Sequence, residues 1–335
     1  MSEWMAKFSA PSYGVYEAGC TGFVPARLLS PDDVTIVPIA PSKMPTSSES
    51  RTKKNDRNDA ARLARLALAG ELHEVWVPSE EVEGLRDLVH ALDDLKDQRT
   101  RAYRRVRALL CRHGMVWDER TRTGRLRKSW GVEFWKWLHS IELDDSISQA
   151  ALLAAIRAAE SAREQYDELL RKAHGLAAAS SLADTVEAPQ RLKCVSFVTA
   201  LSCCAEAGDF SRFGSGRKVT SWLGLAPSES SSALGQRLGA ISKCGSRLPR
   251  SLLIECSWAA TRCGPALGKA CPASVDPRIR ERARTLSQRL CEHRRSLLAR
   301  GVAPCKANAA TAAELGRFMY FLGQDQRTIE AEAAA

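Results

Sequence analysis

Two aspartates lie three residues apart at the start of a segment rich in Ala, Leu and Arg, "KKNDRNDAARLARLALAGEL". If this segment is helical, the i, i+3 spacing places Asp56 and Asp59 on one face, with their carboxylate oxygens a few ångströms apart. Two negative charges at that separation repel unless a cation neutralises them, and Mg²⁺ prefers such oxygen ligands. The alternative is helix capping, since acidic side chains near a helix start are favoured by its dipole. The spacing alone leaves both interpretations open.

A third carboxylate, Glu17, ends the short β-rich run "YGVYEAG". Open α/β sheets place ligand-contacting residues just beyond the ends of their strands. Glu17 is therefore a candidate partner of the aspartate pair.

Several serines in "GLAPSESSSALGQRLGAISKCG" stand beside cationic residues. A serine can attack a DNA phosphodiester and keep the bond energy in a phosphoserine link, provided that cationic donors stabilise the developing charge. Arg237, Lys243, Arg247 and Arg250 are close enough in sequence to supply such donors. The alternative is a polar loop between helices.

The elements that position these residues follow from the hydrophobic pattern. Residues 12–45 predict two short strands around a helix, and the helix of the aspartate pair is predicted to end at Gly70. A long helix begins after "VWVPSEE" with Ser79 as N-cap, and its leucines recur by three and four, which predicts a coiled-coil or bundle seam. The apolar positions of this stripe are Leu85, Leu88, Leu92, Leu95, Tyr103, Val106 and Leu110.

The rest of the chain is predicted to be mainly helical. A second long helix runs from about Ile147 to His174, and the tryptophan-rich connection before it is expected to pack against the helices rather than to stack on bases. Beyond residue 185 the pattern indicates a helix–turn segment, a loop feeding a helix, a basic helix at about 278–300 and an apolar helix at about 308–322. The fold class is thus α/β followed by mainly α.

The 335 residues carry a net charge of +10, and the basic residues are clustered. One such run, "RTRAYRRVRALLCRH", contains Arg104 and Arg105, two further candidates for nucleic-acid binding. Solvated helix faces balanced by acidic neighbours are the alternative. No stretch approaches the roughly 18 apolar residues of a membrane span, and no signal peptide is apparent, so a cytoplasmic, nucleoid-associated protein with reduced thiols is expected.

Six segments resemble IS110-family transposases, including the IS1111 branch. The N-terminal part of that family is similar to "YEAGCTGF", "VTIVPIAPSKMP" and "KKNDRNDAARLARL", and its C-terminal domain is similar to "GDFSRF", "WLGLAPSESSS" and "GAISKCGSRLPRSLL". The segments follow the family order over nearly all of the chain.

The resemblance implies a domain organisation and a set of carboxylates. Residues 1–77 would form a partial RuvC-like domain of the ribonuclease H type, 78–180 a helical coiled-coil region, and 185–325 a serine-containing transposase domain. Glu17, Asp56 and Asp59 match three members of the family's DEDD set, which holds Mg²⁺. The sixteen residues before Glu17 contain no aspartate, so the first member and the first strands of the sheet are expected to be absent, leaving a fragmentary domain unless another chain completes it.

The family's catalytic serine matches Ser232 by position, with Ser231 as the neighbouring alternative. Three residues depart from the family pattern: Ala233 replaces a glycine, Cys194 replaces a glycine of a helix–hairpin-like turn, and Ser246 replaces a common asparagine. Further implied features are a DNA substrate, an element-encoded bridge RNA as guide, and a dimer or tetramer that forms through the coiled coil.

Three functional hypotheses follow. The first is an insertion-sequence recombinase that cuts and joins DNA through the serine and the Mg²⁺-binding carboxylates. The second is an inactive, truncated relic that binds nucleic acid without cleaving it, which the missing aspartate and altered glycines favour. The third is a metal nuclease that resolves DNA junctions by hydrolysis, which leaves the C-terminal half without a role.

Overall fold

The computed structural model describes residues 11–29, 34–41, 44, 55–121, 123–126, 130–208, 210–229, 238–263, 266–268, 271 and 275–334. The chain divides into two compact units, Met1–Glu81 and Val82–Ala335. Strands and helices mix in the first unit, whereas the second is mainly helical, and the predominance of helix agrees with the predicted fold class. The predicted boundary between a coiled-coil region and a C-terminal domain stays a prediction, because the second unit is continuous.

The first unit contains a strand–helix–strand motif. Strand β1 (Ser12–Glu17) and strand β2 (Val34–Ile39) pair in parallel, in register from Ser12↔Val34 to Glu17↔Ile39. Helix α1 (Val24–Leu28) lies in the connection, as parallel pairing requires a crossover. Helix α2 (Asp56–Leu68) follows and packs against β1. The two predicted strands and both predicted helices of this region are therefore confirmed.

The first unit has a shallow core. Among its described residues only Pro38, Ile39 and Pro78 are buried. A cavity of about 1070 Å³ lies between β1 and α2, lined mainly by apolar side chains such as Val15 and Leu63. A two-stranded sheet covered by so few helices leaves much of its apolar surface exposed to solvent.

The second unit begins with a helical hairpin closed by a short helix. Helix α3 (Glu80–Arg112), helix α4 (Val132–His139) and helix α5 (Ser146–Ala178) share one hydrophobic cluster. Its buried members are Ala102, Val106, Leu110, Phe134, Trp135, Leu138, Ile141, Leu152, Ala155, Ile156 and Ala159. The tryptophans pack into this cluster, with Trp130 stacked on Tyr103 at 3.8 Å between ring centroids, so the prediction that they pack against the helices is confirmed.

The predicted apolar stripe of α3 faces inward only in part. Leu85, Leu92, Val106 and Leu110 are buried, as expected for a seam. The remaining members are half-buried: Leu88, Leu95 and Tyr103. The helix begins directly after Ser79, as predicted, while pairing between copies of the chain stays a prediction.

The remainder of the second unit packs around its last helix. Five helices precede it in this part of the described chain: α6 (Ala183–Gln190), α7 (Phe197–Ala207), α8 (Gly216–Trp222), α9 (Arg247–Cys263) and α10 (Pro277–Ala299). Helix α11 (Pro304–Ala334) contacts α6, α8, α9 and α10. Its Leu315 and Phe318 are buried, together with Leu201, Leu253 and Leu290 of the preceding helices and Leu225, which follows α8.

One element of this part differs from the sequence-based expectation. The segment expected to be a loop feeding a helix contains an antiparallel pair, β3 (Pro227–Glu229) and β4 (Leu238–Ile241). Strands of three and four residues give too little alternation to be recognised from sequence. No described helix is both long and apolar enough to cross a membrane.

Candidate active site

The aspartate pair lies in the first turn of α2. Asn55 is the N-cap of this helix, and its Oδ1 accepts a hydrogen bond from the backbone N–H of Arg57 at 2.9 Å. The Asp59 backbone N–H donates to the Asn55 carbonyl oxygen at 3.0 Å, which continues the helical turn. Asp56 is exposed and Asp59 is half-buried. The predicted placement of both carboxylates on one helix start is confirmed.

Neither aspartate is the side-chain N-cap of this helix, so the capping alternative is reduced to a favourable interaction with the helix dipole. Asn55 already accepts the N–H that a cap would satisfy, so neither aspartate side chain serves as N-cap. Neither carboxylate has a hydrogen-bond or ion-pair partner within the described part of the chain, and the same holds for Glu17. The helix dipole still favours the two charges, but their oxygens remain available to an added ligand.

The fit of these residues to a metal ion is incomplete. Carboxylate oxygens are the donors that a hard divalent cation prefers. However, no group of three or more His, Cys, Asp or Glu side chains within the described ranges is close enough to hold such an ion. Glu17, exposed at the end of β1, therefore does not complete a three-carboxylate site with Asp56 and Asp59.

The serine segment lies between the paired ends of β3 and β4. Ser231, Ser232 and Arg237 fall outside the described residues. On either side of them Glu229 pairs with Leu238, and Pro227 pairs with Ile241.

Two glycines make the root of this hairpin possible. Gly224 and Gly245 have φ angles of +68° and +74°, in the left-handed region that glycine tolerates best. A Cβ on Gly224 would collide with the carbonyl oxygen of Cys244, and one on Gly245 with the carbonyl oxygen of Trp222. The Lys243 backbone N–H donates to the Gly224 carbonyl oxygen at 3.0 Å. Two backbone segments therefore cross in direct contact where the hairpin meets the helices.

Arg250 of α9 forms hydrogen bonds with both backbone segments of this crossing. One terminal nitrogen of its guanidinium donates to the carbonyl oxygens of Cys244 at 3.0 Å and Leu223 at 3.2 Å. These contacts join both sides of the crossing, so the structure gives Arg250 an intramolecular role besides its predicted role in nucleic-acid binding. Lys243 and Arg247 are exposed and have no partner among the described residues.

A second set of polar contacts, centred on the Glu206 carboxylate, lies next to the crossing. The Ser246 hydroxyl donates to the Glu206 carboxylate at 2.9 Å. The same carboxylate lies 3.4 Å from His90 Nε2 and 3.9 Å from Arg86 Nε. Arg86 also donates to the carbonyl oxygens of Ala205 at 2.8 Å and Glu206 at 3.0 Å. Burial lowers the pKa of the Arg86 guanidinium, while the Glu206 charge opposes that shift.

These supporting residues were not found from the sequence. Arg86 and Glu206 are 120 positions apart, and nothing in their local patterns links them. Arg212 was also missed, although its contacts are local: it donates to the Ala207 carbonyl oxygen at 2.7 Å and lies 4.2 Å from the Phe213 ring centroid. Burial, followed by the nearby charge of Arg86, lowers the pKa of Arg212 to about 10. Only the fold brings Arg86 and Glu206 together.

Comparison with known proteins gives matches to both segments that contain the candidate residues. A family model described as "Transposase", named for the DEDD set of IS110 elements, matches residues 1–114. A second, described as "Transposase IS116/IS110/IS902 family", matches residues 188–271. The first match contains Glu17, Asp56 and Asp59, and the second contains Ser231 and Ser232.

Related proteins match over much longer stretches. "Putative transposase y4qE" of Sinorhizobium fredii is 32% identical over 318 residues, which cover 94% of this chain and 76% of that protein. The "Transposase for insertion sequence element IS1533" of Leptospira borgpetersenii is 27% identical, covering 61% of this chain and 57% of the relative. The "Transposase for insertion sequence element IS1111A" of Coxiella burnetii is 25% identical, covering 69% of this chain and 58% of the relative. The match thus spans less than two thirds of the latter two relatives.

The α/β unit with its carboxylates and the helical unit with its serine segment are thus both parts of transposase sequences. The chain belongs to the IS110 family of insertion-sequence transposases.

Proposed function

We propose that this protein is a DNA recombinase of an insertion sequence, which cuts and joins DNA strands with a serine nucleophile assisted by carboxylates. The nucleophile is Ser232, with Ser231 as the alternative. One observation carries the proposal: two separate family matches, 1–114 and 188–271, cover the two segments in which the carboxylates and the serines occur.

The chemical step conserves the energy of the phosphodiester. The serine Oγ attacks the phosphorus, a serine–phosphate ester forms, and the bond between phosphorus and one sugar oxygen breaks. The serine proton goes to the departing oxygen, which becomes a hydroxyl group. A hydroxyl of another strand can then reverse the step and join the strands. Lys243 and Arg247, exposed and unpaired in the described part of the chain, are proposed to stabilise the charge on the phosphate.

The carboxylates are proposed to hold Mg²⁺. Asp56 and Asp59 supply two donors from one helix turn, and Glu17 is the third candidate. The bound ion would neutralise their charges and polarise phosphate oxygens. Because Glu17 does not join the pair in this structure, a change in the first unit or a contribution from another molecule is needed to complete the set.

The partners follow from the same proposal. DNA is the substrate, an element-encoded bridge RNA is the proposed guide, and the reaction takes place at the nucleoid. A dimer or tetramer is expected, because the carboxylates and the serine of one catalytic centre can come from different subunits. Exposed Arg104 and Arg105 on α3 are assigned to nucleic-acid binding.

A second candidate is a nucleic-acid-binding protein without cleavage activity. The ungrouped carboxylates favour it, since a metal-dependent step requires more ligands than two neighbouring aspartates provide.

A covalent protein–DNA adduct tests the proposal. The protein is incubated with Mg²⁺ and end-labelled DNA carrying the ends of the element, and the products are separated on a denaturing gel. We expect an adduct that Ser232→Ala abolishes and the matched control Ser228→Ala retains. If Ser231→Ala abolishes the adduct instead, Ser231 is the nucleophile. Binding without an adduct in the unmodified protein would favour the second candidate, and Mg²⁺-dependent cleavage that survives both changes would indicate a hydrolytic nuclease.

A further inference from the structure

Helix α3 carries its charges in two separate halves. Its first half contains acidic residues up to Asp97, whereas residues 98–117 contain no acidic residue at all. The arginines of this second half are Arg99, Arg101, Arg104, Arg105, Arg107 and Arg112. On a solvated helix face whose positive charges are balanced by acidic neighbours on the same helix, residues of both signs would alternate.

Two of these arginines are used inside the helical hairpin. The Arg99 guanidinium lies 4.0 Å from the Tyr166 ring centroid and 3.9 Å from the Asp167 carboxylate, both on α5. The Arg107 guanidinium lies 5.5 Å from the Trp130 ring centroid. They therefore hold α3 against its neighbours.

The other four arginines form an exposed stripe. They lie opposite the buried Ala102, Val106 and Leu110, and none has a hydrogen-bond, ion-pair or ring partner within the described residues. At 1.5 Å of rise per residue, the stripe is about 16 Å long. We name it the arginine stripe: Arg101, Arg104, Arg105 and Arg112.

The fold itself does not explain the arginine stripe. Arg101 is three residues from Arg104 and four from Arg105, so these like charges repel across adjacent turns. The helix dipole favours cations only in the last turn, which accounts for Arg112 but not for the other three. A ligand with several negative charges would turn this repulsion into attraction.

The side chains around the arginine stripe indicate which kind of polyanion it would bind. Binding of single strands generally uses aromatic rings on which bases stack. Here Tyr103 is stacked against Trp130 at 3.8 Å and 16° between ring planes, and Trp135 is buried. The stripe offers guanidinium groups that fit phosphate oxygens, without an open ring surface for bases.

We propose that the arginine stripe binds the phosphate backbone of double-helical DNA without reading its sequence. The acidic first half of α3 repels phosphates and thereby confines the duplex to the second half of the helix. This inference rests on the proposed function for its substrate, but it concerns a surface remote in sequence from the candidate serine and carboxylates.

Salt-dependent binding of a duplex with arbitrary sequence tests the inference. The affinity of the full chain for a fluorescent 30-base-pair DNA is measured by anisotropy at several salt concentrations. The test variant changes all four stripe residues to glutamine: Arg101→Gln, Arg104→Gln, Arg105→Gln and Arg112→Gln. We expect at least a tenfold weaker affinity at about 0.1 M salt. The salt slope should fall by about 0.9 for each phosphate that the variant no longer neutralises, so by up to about 3.6.

A charge-matched variant controls for the removal of four positive charges. It changes four exposed cations that already have acidic partners: Lys136 with Glu133, Lys172 with Glu168, Arg278 with Asp276, and Arg284 with Glu281. Less than a twofold decrease in affinity is expected after their change to glutamine. Equal decreases in both variants would overturn the inference, because net charge alone would then explain binding. Circular dichroism checks that both variants keep their helix content.

Two further arms separate the inference from the proposed function. A stripe variant that loses affinity for single-stranded DNA or duplex RNA but not for duplex DNA would overturn the assignment to duplex DNA. The control Ser228→Ala is expected to bind the duplex as tightly as the unmodified protein. If the unmodified protein forms no adduct but the stripe variant still loses duplex binding, the recombinase proposal fails and the inference on the arginine stripe stands. If the unmodified protein forms the adduct but the stripe variant binds the duplex with unchanged affinity, the recombinase proposal stands and the inference fails.

Discussion

The two units fix their candidate catalytic residues in different ways. In the first unit, few described side chains are buried, and Glu17 and Asp56 are exposed on a two-stranded sheet and its adjoining helix. In the second unit, the strands on both sides of the serine segment emerge from a crossing that two glycines, Arg250 and Glu206 hold in place.

This difference concerns how strongly the fold orients each set of candidate residues. The hairpin root of the second unit is set by contacts within the chain, so the strands that flank the serine segment are oriented before any ligand arrives. The carboxylates lack such support, and Glu17 does not group with the Asp56 and Asp59 pair. Under the proposed function, their productive arrangement would depend on an added component, such as a metal ion or another molecule.

The largest effect is expected from Gly224→Ala. The new methyl group would collide with the Cys244 carbonyl oxygen, in a backbone conformation with φ +68°. Because the obstacle is backbone, we expect a loss of at least about 3 kcal/mol in the free energy of unfolding. Urea unfolding followed by circular dichroism measures it.

Gly70→Ala in the first unit is the matched control. Gly70 has a similar φ of +66°, but nothing lies within 4 Å of a Cβ built on it. Only the backbone strain remains, so the expected loss is about 1–2 kcal/mol. Similar losses at both positions would show that the crossing in the second unit is not held rigidly, and the contrast between the units would fail.

A smaller effect is expected from Arg250→Ala. This change removes a charged donor from two carbonyl oxygens at 3.0 and 3.2 Å, so we expect the free energy of unfolding to fall by about 2 kcal/mol. Arg250→Lys keeps the charge but not the planar guanidinium, and it should recover only part of the loss. Unchanged stability combined with weaker DNA binding would instead assign Arg250 to the nucleic acid, as its place in the basic sequence cluster predicts.

Sequence reasoning was effective where the pattern is local. The run "VTIVPI" has the continuous apolar character of a buried parallel strand and became β2. The periodic leucines of α3 and the glycine after α2 likewise predicted helix boundaries within a few residues. The Asp56 and Asp59 pair belongs to this class, because its i, i+3 relation needs only one helix.

Contacts between distant segments could not be predicted in this way. The hairpin strands "PSE" and "LGAI" show no strand pattern, and their pairing depends on the crossing of Gly224 and Gly245. The Arg86–Glu206 group joins residues 120 positions apart. The distance between Glu17 and the aspartates also depends on tertiary packing, and the position of Glu17 at the end of a strand does not determine it.

The smallest expected effect concerns buried thiols of the second unit. Cys203 and Cys204 are fully buried, and burial raises the pKa of both thiols above the ordinary value of 9.0. Above pH 9 the thiols ionise in the unfolded chain but stay protonated in the folded one. The unfolded state then binds fewer protons, so stability falls with rising pH, by an amount on the order of 1 kcal/mol per thiol at pH 10.

Urea unfolding at pH 8 and pH 10 under reducing conditions measures this loss, and the double variant Cys203→Ala/Cys204→Ala removes the thiol part of it. Iodoacetamide at pH 8 gives the matching contrast between the units. Cys20 of the first unit is exposed and should react within minutes, whereas Cys203 and Cys204 should react only on unfolding. Rapid labelling of the buried pair, or a pH dependence unchanged in the double variant, would mean that the second unit opens readily. Its hairpin root would then be no better fixed than the carboxylates of the first unit.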